Sequence, residues 1–250
     1  MDRIRWGVLG AARIAVTRTL PAMAQAPSVE LTAIASRSLD KASALCAELG
    51  IQRPYGSYEE LLADPEIDAV YLPLPDTLHA TWAQAAVEGG KHVLCEKPLS
   101  LSLVEIDRLR EVRDRTGRHI EEAFVYRNHP QWAAVRELLD RGDIGDVRSA
   151  HVTMAMQFLD PADIRNNLEL GGGSLNDMGG YVLTACAMIF GRRPDRVVSA
   201  VDRDPDLGVD RLTTALLDYG DAHATISVSI RSGPNGIGSH QQLSVLGSRG

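Results

Sequence analysis

The first half of the chain alternates between short apolar runs and helix-like stretches. Ile4–Leu9 is an apolar run rich in branched residues, and Arg13–Ala26 after it reads as a helix. Val29–Ala35 is the next strand, followed by a helix over Asp40–Leu49 that stops at Gly50. Asp68–Leu72 predicts a strand, Thr77–Glu88 a helix ending at Gly89-Gly90, and His92–Cys95 a further strand. Ser102–Arg115 predicts a helix with a capping box from Ser102 to Glu105, a stop at Gly117 and a core stripe of Leu103, Ile106 and Leu109. His119–Val125 closes this half as a strand. Strands that alternate with helices imply a parallel sheet covered on both faces.

The second half is patterned differently. Pro130–Asp140 and Ser174–Phe190 read as helices, the latter introduced by Gly171-Gly172-Gly173. Val147–Met156 is a long strand, and Arg196–Val201, Leu212–Tyr219, Ala224–Ile230 and Leu243–Leu246 follow as strands without helices between them. That succession predicts an α+β domain with a mostly antiparallel sheet. The fold class expected is α/β, a doubly wound parallel sheet over residues 1–122 followed by the α+β domain over 123–250. The chain ends at Leu243-Ser244-Val245-Leu246-Gly247-Ser248-Arg249-Gly250, within or just after a strand. An uncovered sheet edge is a liability, so a C-terminal truncation is expected.

Composition narrows the class. The 250 residues are 44% hydrophobic and 24% charged, ordinary for a globular protein, and the net charge is −7 with both signs interleaved. A nucleic-acid surface would carry a basic stripe, which is missing. No apolar run reaches the ~20 residues that span a bilayer. Cys46, Cys95 and Cys186 are scattered in apolar company and read as buried free thiols in a reducing compartment, so a cytoplasmic location is expected. The seven histidines have no metal-ligand spacing, and no metal is expected. Trp6–Ala12 resembles a secretion signal, but Arg13 interrupts it before a signal core is complete.

Gly10-Ala11-Ala12-Arg13-Ile14-Ala15 lies between a strand and a helix, the context of a dinucleotide-binding loop. Gly10 supplies the tight turn. Ala12 stands where a second glycine lets the backbone approach a pyrophosphate, and Ala15 is an accepted variant of the third. The next strand ends at Ser36-Arg37, with no carboxylate for a ribose 2′-hydroxyl. A hydroxyl and a fixed cation there favour NADP over NAD. Lys97 follows the carboxyl end of a strand, where open α/β sheets bind ligands, and Pro98 restricts its backbone. Asp177 and Tyr181 are four apart and share one helix face. A tyrosine can exchange a hydroxyl proton when a cation stabilises its phenolate, and Lys97 is the candidate cation.

Four stretches together, CEKPLS (95–100), GGGSLNDMGGY (171–181), YLPLPDTLHA (71–80) and EAFVYRNHPQW (122–132), resemble the glucose-fructose oxidoreductase/inositol dehydrogenase/MocA family. Within it the chain most resembles the dimeric dihydrodiol dehydrogenase and NADP-dependent xylose dehydrogenase group, in which tyrosine replaces the commoner histidine. The resemblance implies a dehydrogenase that moves a hydride between NADP and a sugar, polyol or dihydrodiol. It implies an acid/base pair of Lys97 and Tyr181, with Asp177 orienting the substrate or the lysine. It puts Glu96 at the cofactor, Leu72 and Pro73 near the nicotinamide, with His79 close by, and Arg127 near cofactor or substrate. Asn128 departs from the aromatic residue common at its position. The resemblance further implies a homo-oligomer built through the second-domain sheet, and roughly another hundred residues of that domain. Two other readings stay open: a non-catalytic NADP sensor and an NAD-dependent glycosidase of the same fold.

Overall fold

The structure is a computed structural model that describes residues 3–232 and 239–250. It divides into two compact units, Met1–Ala123 and Phe124–Gly250.

The first unit is a six-stranded sheet, every pair of which is parallel. Its strands are β1 (Ile4–Leu9), β2 (Val29–Ala35), β3 (Arg53–Tyr55), β4 (Ala69–Leu72), β5 (His92–Cys95) and β6 (Ile120–Glu122), in the spatial order β3-β2-β1-β4-β5-β6. That order reverses between β1 and β4, and ligands of doubly wound sheets bind outside the carboxyl ends of the strands at such a reversal. Helices α1 (Leu20–Gln25), α2 (Leu39–Leu49), α3 (Tyr58–Ala63), α4 (Asp76–Glu88) and α5 (Leu103–Thr116) make the crossovers. A π-turn over Ala15–Thr19 leads into α1. Two apolar clusters fill the unit. Leu9, Val70, Leu72, Ala83 and Val87 belong to one, and Val8, Ile34, Leu20 and Tyr71 to the other.

Several local expectations need correction. β3 and α3 are additional, too short for hydrophobic periodicity to reveal. The strand expected over His119–Val125 shrinks to Ile120–Glu122, and Val125–Asn128 is a 3-10 turn. Ser102 does cap α5 by position, but its side chain makes no cap hydrogen bond. Ser100 takes over: its hydroxyl contacts the Glu105 carboxylate and accepts the Ser102 N–H at 2.9 Å. Leu103 is 84% exposed, so the inward stripe of α5 is carried by Leu109 and Val112.

The second unit is a five-stranded sheet in the order β11-β7-β10-β9-β8. The strands are β7 (Val147–Ala155), β8 (Arg196–Arg203), β9 (Asp210–Asp218), β10 (His223–Ser229) and β11 (His240–Gly247). β7 and β10 run parallel, and the other pairs are antiparallel. Helices α6 (Pro130–Asp140) and α7 (Ser174–Phe190) belong to this unit. Met178, Val182, Ala185 and Ile189 of α7 pack into a cluster with Val152, Leu217, Ile226 and Val228 of the sheet. Alternation along β9 leaves Leu212, Thr214 and Leu216 exposed on the other face.

Candidate active site

The phosphate-type loop begins at the end of β1. Gly10 has φ +117°, and a Cβ there would stand 2.9 Å from Leu74 Cδ2 and 3.2 Å from the Pro73 carbonyl oxygen. Only glycine combines that backbone with that closeness. The turn therefore seats Gly10 against the Leu72-Pro73 end of β4. Ala11 and Ala12 are half-buried, while Arg13 and Ile14 are exposed at the start of the helix. Helix starts present unpaired N–H groups and favour anions. At the end of β2, Ser36 is buried and its hydroxyl accepts the Ser38 N–H at 3.4 Å, whereas Arg37 is exposed. A glycine turn, a helix start and an exposed guanidinium suit a dinucleotide carrying a 2′-phosphate.

The loop after β5 is held from several directions. Glu96 N–H donates to the Leu72 carbonyl at 3.1 Å, and the Leu99 N–H donates to Glu122 Oε1 of β6 at 2.9 Å. Tyr71 of β4 donates to Glu96 Oε1 at 2.6 Å. The Lys97-Pro98 peptide bond is cis. Lys97 itself is half-buried. Leu72 is fully buried in the core, so only its main chain is offered to the site.

His79 differs from the expected cofactor neighbour. It has no exposed surface. Nδ1 is 2.7 Å from the Pro98 carbonyl oxygen and Nε2 is 2.8 Å from that of Leu74. Both ring nitrogens are occupied by main chain, and none is left for a ligand. His79 is a strut between the two loops.

The other candidates lie on the second unit. Gly172 and Gly173 set up the start of α7. A Cβ on Gly172 would stand 2.6 Å from the Arg165 carbonyl oxygen, and Gly173 has φ +120°. Asp210 of β9 caps the helix. Its buried carboxylate accepts from the Ser174 hydroxyl, from the Leu175 N–H at 2.9 Å and from the Thr213 hydroxyl at 2.7 Å. This helix carries Asp177 in its first turn and Tyr181 one turn on. Arg165 Nε donates to Asp177 Oδ2 at 2.8 Å, and its guanidinium sits 4.1 Å from the centre of the Phe158 ring. Burial opposes the charge of Arg165, but Asp177 and Asp163 more than offset it and raise its pKa. The Tyr181 ring packs against Phe124 at 4.9 Å and Tyr126 at 5.3 Å between centroids. Tyr126 donates its hydroxyl to the Tyr181 carbonyl at 2.8 Å, and burial keeps that phenol protonated well above its usual range. Arg127 is exposed on the 3-10 turn Val125–Asn128.

Tyr71, Glu122, Arg165 and Asp210 were not identified from the sequence. Each acts across at least a dozen residues; Tyr71 and Glu122 head two of the stretches quoted above, but the spelling of a stretch does not give their partners. All three cysteines are buried free thiols. Burial lifts the Cys186 thiol to about 11. Among the described residues no group of three or more His, Cys, Asp or Glu could hold a metal ion, and no helix is long and apolar enough to cross a membrane.

Comparison with known proteins matches both units. Residues 4–124 match the oxidoreductase family with NAD-binding Rossmann fold, and residues 132–250 match the GFO/IDH/MocA C-terminal domain. An uncharacterized oxidoreductase of Rhizobium meliloti is 50% identical over 92% of this chain and 69% of its own length. A D-xylose 1-dehydrogenase (NADP(+)) of Haloferax volcanii is 43% identical over 89% of this chain and 68% of its own. The crystal structure of a 3-ketoreductase from Actinomadura kijaniata in complex with NADP superposes with a TM-score of 0.87 at 33% identity, covering 99% of this chain and 74% of that one. The same ketoreductase has been solved with one lysine replaced and, separately, with one tyrosine replaced by phenylalanine. With both domain matches in their order along the chain, the protein belongs to the GFO/IDH/MocA oxidoreductase family.

Proposed function

We propose that this oxidoreductase uses NADP and acts on a CH–OH or carbonyl carbon of a sugar, polyol or related diol, with Lys97 and Tyr181 as its acid/base pair. One observation carries the assignment of the pair. The replaced lysine and tyrosine of the ketoreductase are 84 positions apart, the same separation as Lys97 and Tyr181.

Gly10, Ala11, Ala12, Arg13 and Ile14 would hold the pyrophosphate, and Ser36 and Arg37 the 2′-phosphate. Glu96 and the main chain at Leu72-Pro73 would border the nicotinamide end. The cofactor, when bound, supplies or accepts the hydride. The proton is left to the protein. Tyr181 exchanges it with the substrate oxygen, and the Lys97 ammonium stabilises both the phenolate and the alkoxide that develops. Asp177, paired with Arg165, orients the substrate hydroxyls. The open face of the second sheet, with Leu212 and Leu216 exposed, would join two copies.

The test is a spectrophotometric screen of aldoses, polyols and aromatic dihydrodiols with NADP and NAD separately. Turnover with NADP and at least one sugar or diol is expected. Lys97→Met and Tyr181→Phe are each expected to lower kcat about a hundredfold or more, with NADPH affinity close to wild type. Wild-type turnover in either variant overturns the pair. NADPH binding without turnover on any substrate points to a sensor instead.

A further inference from the structure

Tyr71 sits on β4 and is fully buried. A phenylalanine would fill the same space, and a buried hydroxyl is costly unless it is paired. This one is paired twice. Its oxygen is 2.6 Å from Glu96 Oε1 and 3.1 Å from Thr19 Oγ1. A phenol has one proton and a carboxylate only accepts. The Tyr71 proton therefore goes to Glu96, and the Thr19 hydroxyl donates to Tyr71. Burial, then the neighbouring Glu96 charge, raise the Tyr71 pKa far above that of a free phenol, so the donor keeps its proton across the working range.

Both ends of this relay lead to the site. Glu96 Oε2 accepts the Lys97 N–H at 3.4 Å, so one carboxylate bridges the phenol and the main chain of the lysine. Thr19 ends the π-turn that follows the phosphate-type loop, where the Leu20 N–H reaches back five residues to the Ala15 carbonyl. Pro21 has no N–H to continue a four-residue ladder, which gives the extra residue a cause in the sequence. Single π-turns inside helices are frequent at functional sites. Here the turn brings the Thr19 hydroxyl to Tyr71.

We propose that Tyr71 is a positioning residue: it fixes the Glu96 carboxylate, through it the main chain that aims Lys97, and through Thr19 it ties that loop to the helix behind the phosphate-type loop. The inference rests on the role assigned to Lys97 above.

Tyr71→Phe keeps the ring and removes only the hydroxyl. It is expected to lower kcat about tenfold, near the loss of one hydrogen bond to a charged group. Substrate KM and the NADPH dissociation constant should stay within about twofold, because no contact to either ligand is removed. Amide hydrogen exchange of the protein alone should rise across residues 96–100 and stay unchanged in α4. Thr19→Val should shift both readings in the same direction by less. Tyr71→Phe combined with Glu96→Ala should be no slower than Glu96→Ala alone, since Glu96→Ala already removes the acceptor of the Tyr71 hydroxyl. Wild-type kcat in Tyr71→Phe, or additive losses in the double variant, overturns the inference. Should the wild-type protein turn over no sugar or diol, the functional reading fails, and exchange decides the inference separately: a loop as protected as wild type in Tyr71→Phe overturns it, and a loosened one supports it. If Tyr71→Phe does not fold, Thr19→Val decides the inference by the same two readings.

Discussion

Ala12 puts one methyl where the dinucleotide fingerprint has a glycine that lets main chain approach the pyrophosphate. The alanine is half-buried and its carbonyl accepts the Val16 N–H at 3.2 Å, so it already opens the helix. Glycine is preferred over alanine where a carbonyl accepts the first helical bond, so a glycine there does not weaken the helix start. With the cofactor placed as proposed above, the methyl would hold the phosphates slightly off the backbone and shift reliance toward the exposed Arg37. Ala12→Gly should therefore tighten NADPH binding about two- to fivefold, within the ~1 kcal/mol scale of a single improved contact. Fluorescence titration checks it. Weaker or unchanged binding would mean that the alanine is simply accommodated. Single residues of this kind were legible in the sequence because they sit inside a motif with fixed spacing. Tyr71 was not. Its chemistry depends on Thr19 and Glu96, 52 and 25 positions away, meeting it in the folded sheet.

At the level of elements, strand and helix types followed from periodicity, while capping did not follow from spelling alone. Ser102-x-x-Glu105 has the letters of a capping box, yet Ser100 makes the bonds. Ser57-x-x-Glu60 has the same letters, and there Ser57 accepts the Glu60 N–H at 3.1 Å to start α3. The difference lies in competition from a nearby hydroxyl, which the four-residue pattern does not contain. α7 is a sharper case. Its sequence announces a helix after three glycines, but the cap is Asp210, supplied by β9 across 36 positions. Asp210→Ala removes the acceptor of three bonds and leaves two of their donors, the Ser174 and Thr213 hydroxyls, buried. A loss of about 2–4 kcal/mol in unfolding free energy is expected, read from the urea midpoint, together with reduced turnover because Asp177 and Tyr181 ride on that helix. A midpoint shift worth under ~0.5 kcal/mol, the scale of an ordinary surface change, would show that water replaces the cap.

Across the whole molecule, titration ties many such local contacts to one observable. Hydrogen bonding from Arg5 holds the Asp68 carboxyl down at about 2, with burial opposing. Asp64 is also depressed, where the Glu66 N–H, Tyr55 and Arg53 outweigh its burial. A carboxyl depressed in the folded state contributes stability that is present above its unfolded value, about 3.9, and lost as pH falls through the folded one. At the alkaline end, burial raises the Cys186 thiol to about 11 and the Tyr219 phenol to about 12. Groups raised in the folded state give stability that is intact below their unfolded values, about 8.5 and 10, and lost as pH rises toward the folded ones. The urea midpoint should therefore form a plateau from about pH 5 to 8 and fall on both sides. Asp68→Asn should flatten the descent between about pH 4 and 2, and Tyr219→Phe the descent above about pH 10, each leaving the opposite limb as in wild type. An acid limb equally steep in Asp68→Asn would assign acid unfolding to the net charge of the chain, whose positive sign at low pH repels itself, rather than to the Arg5 pair that joins β1 to the segment entering β4.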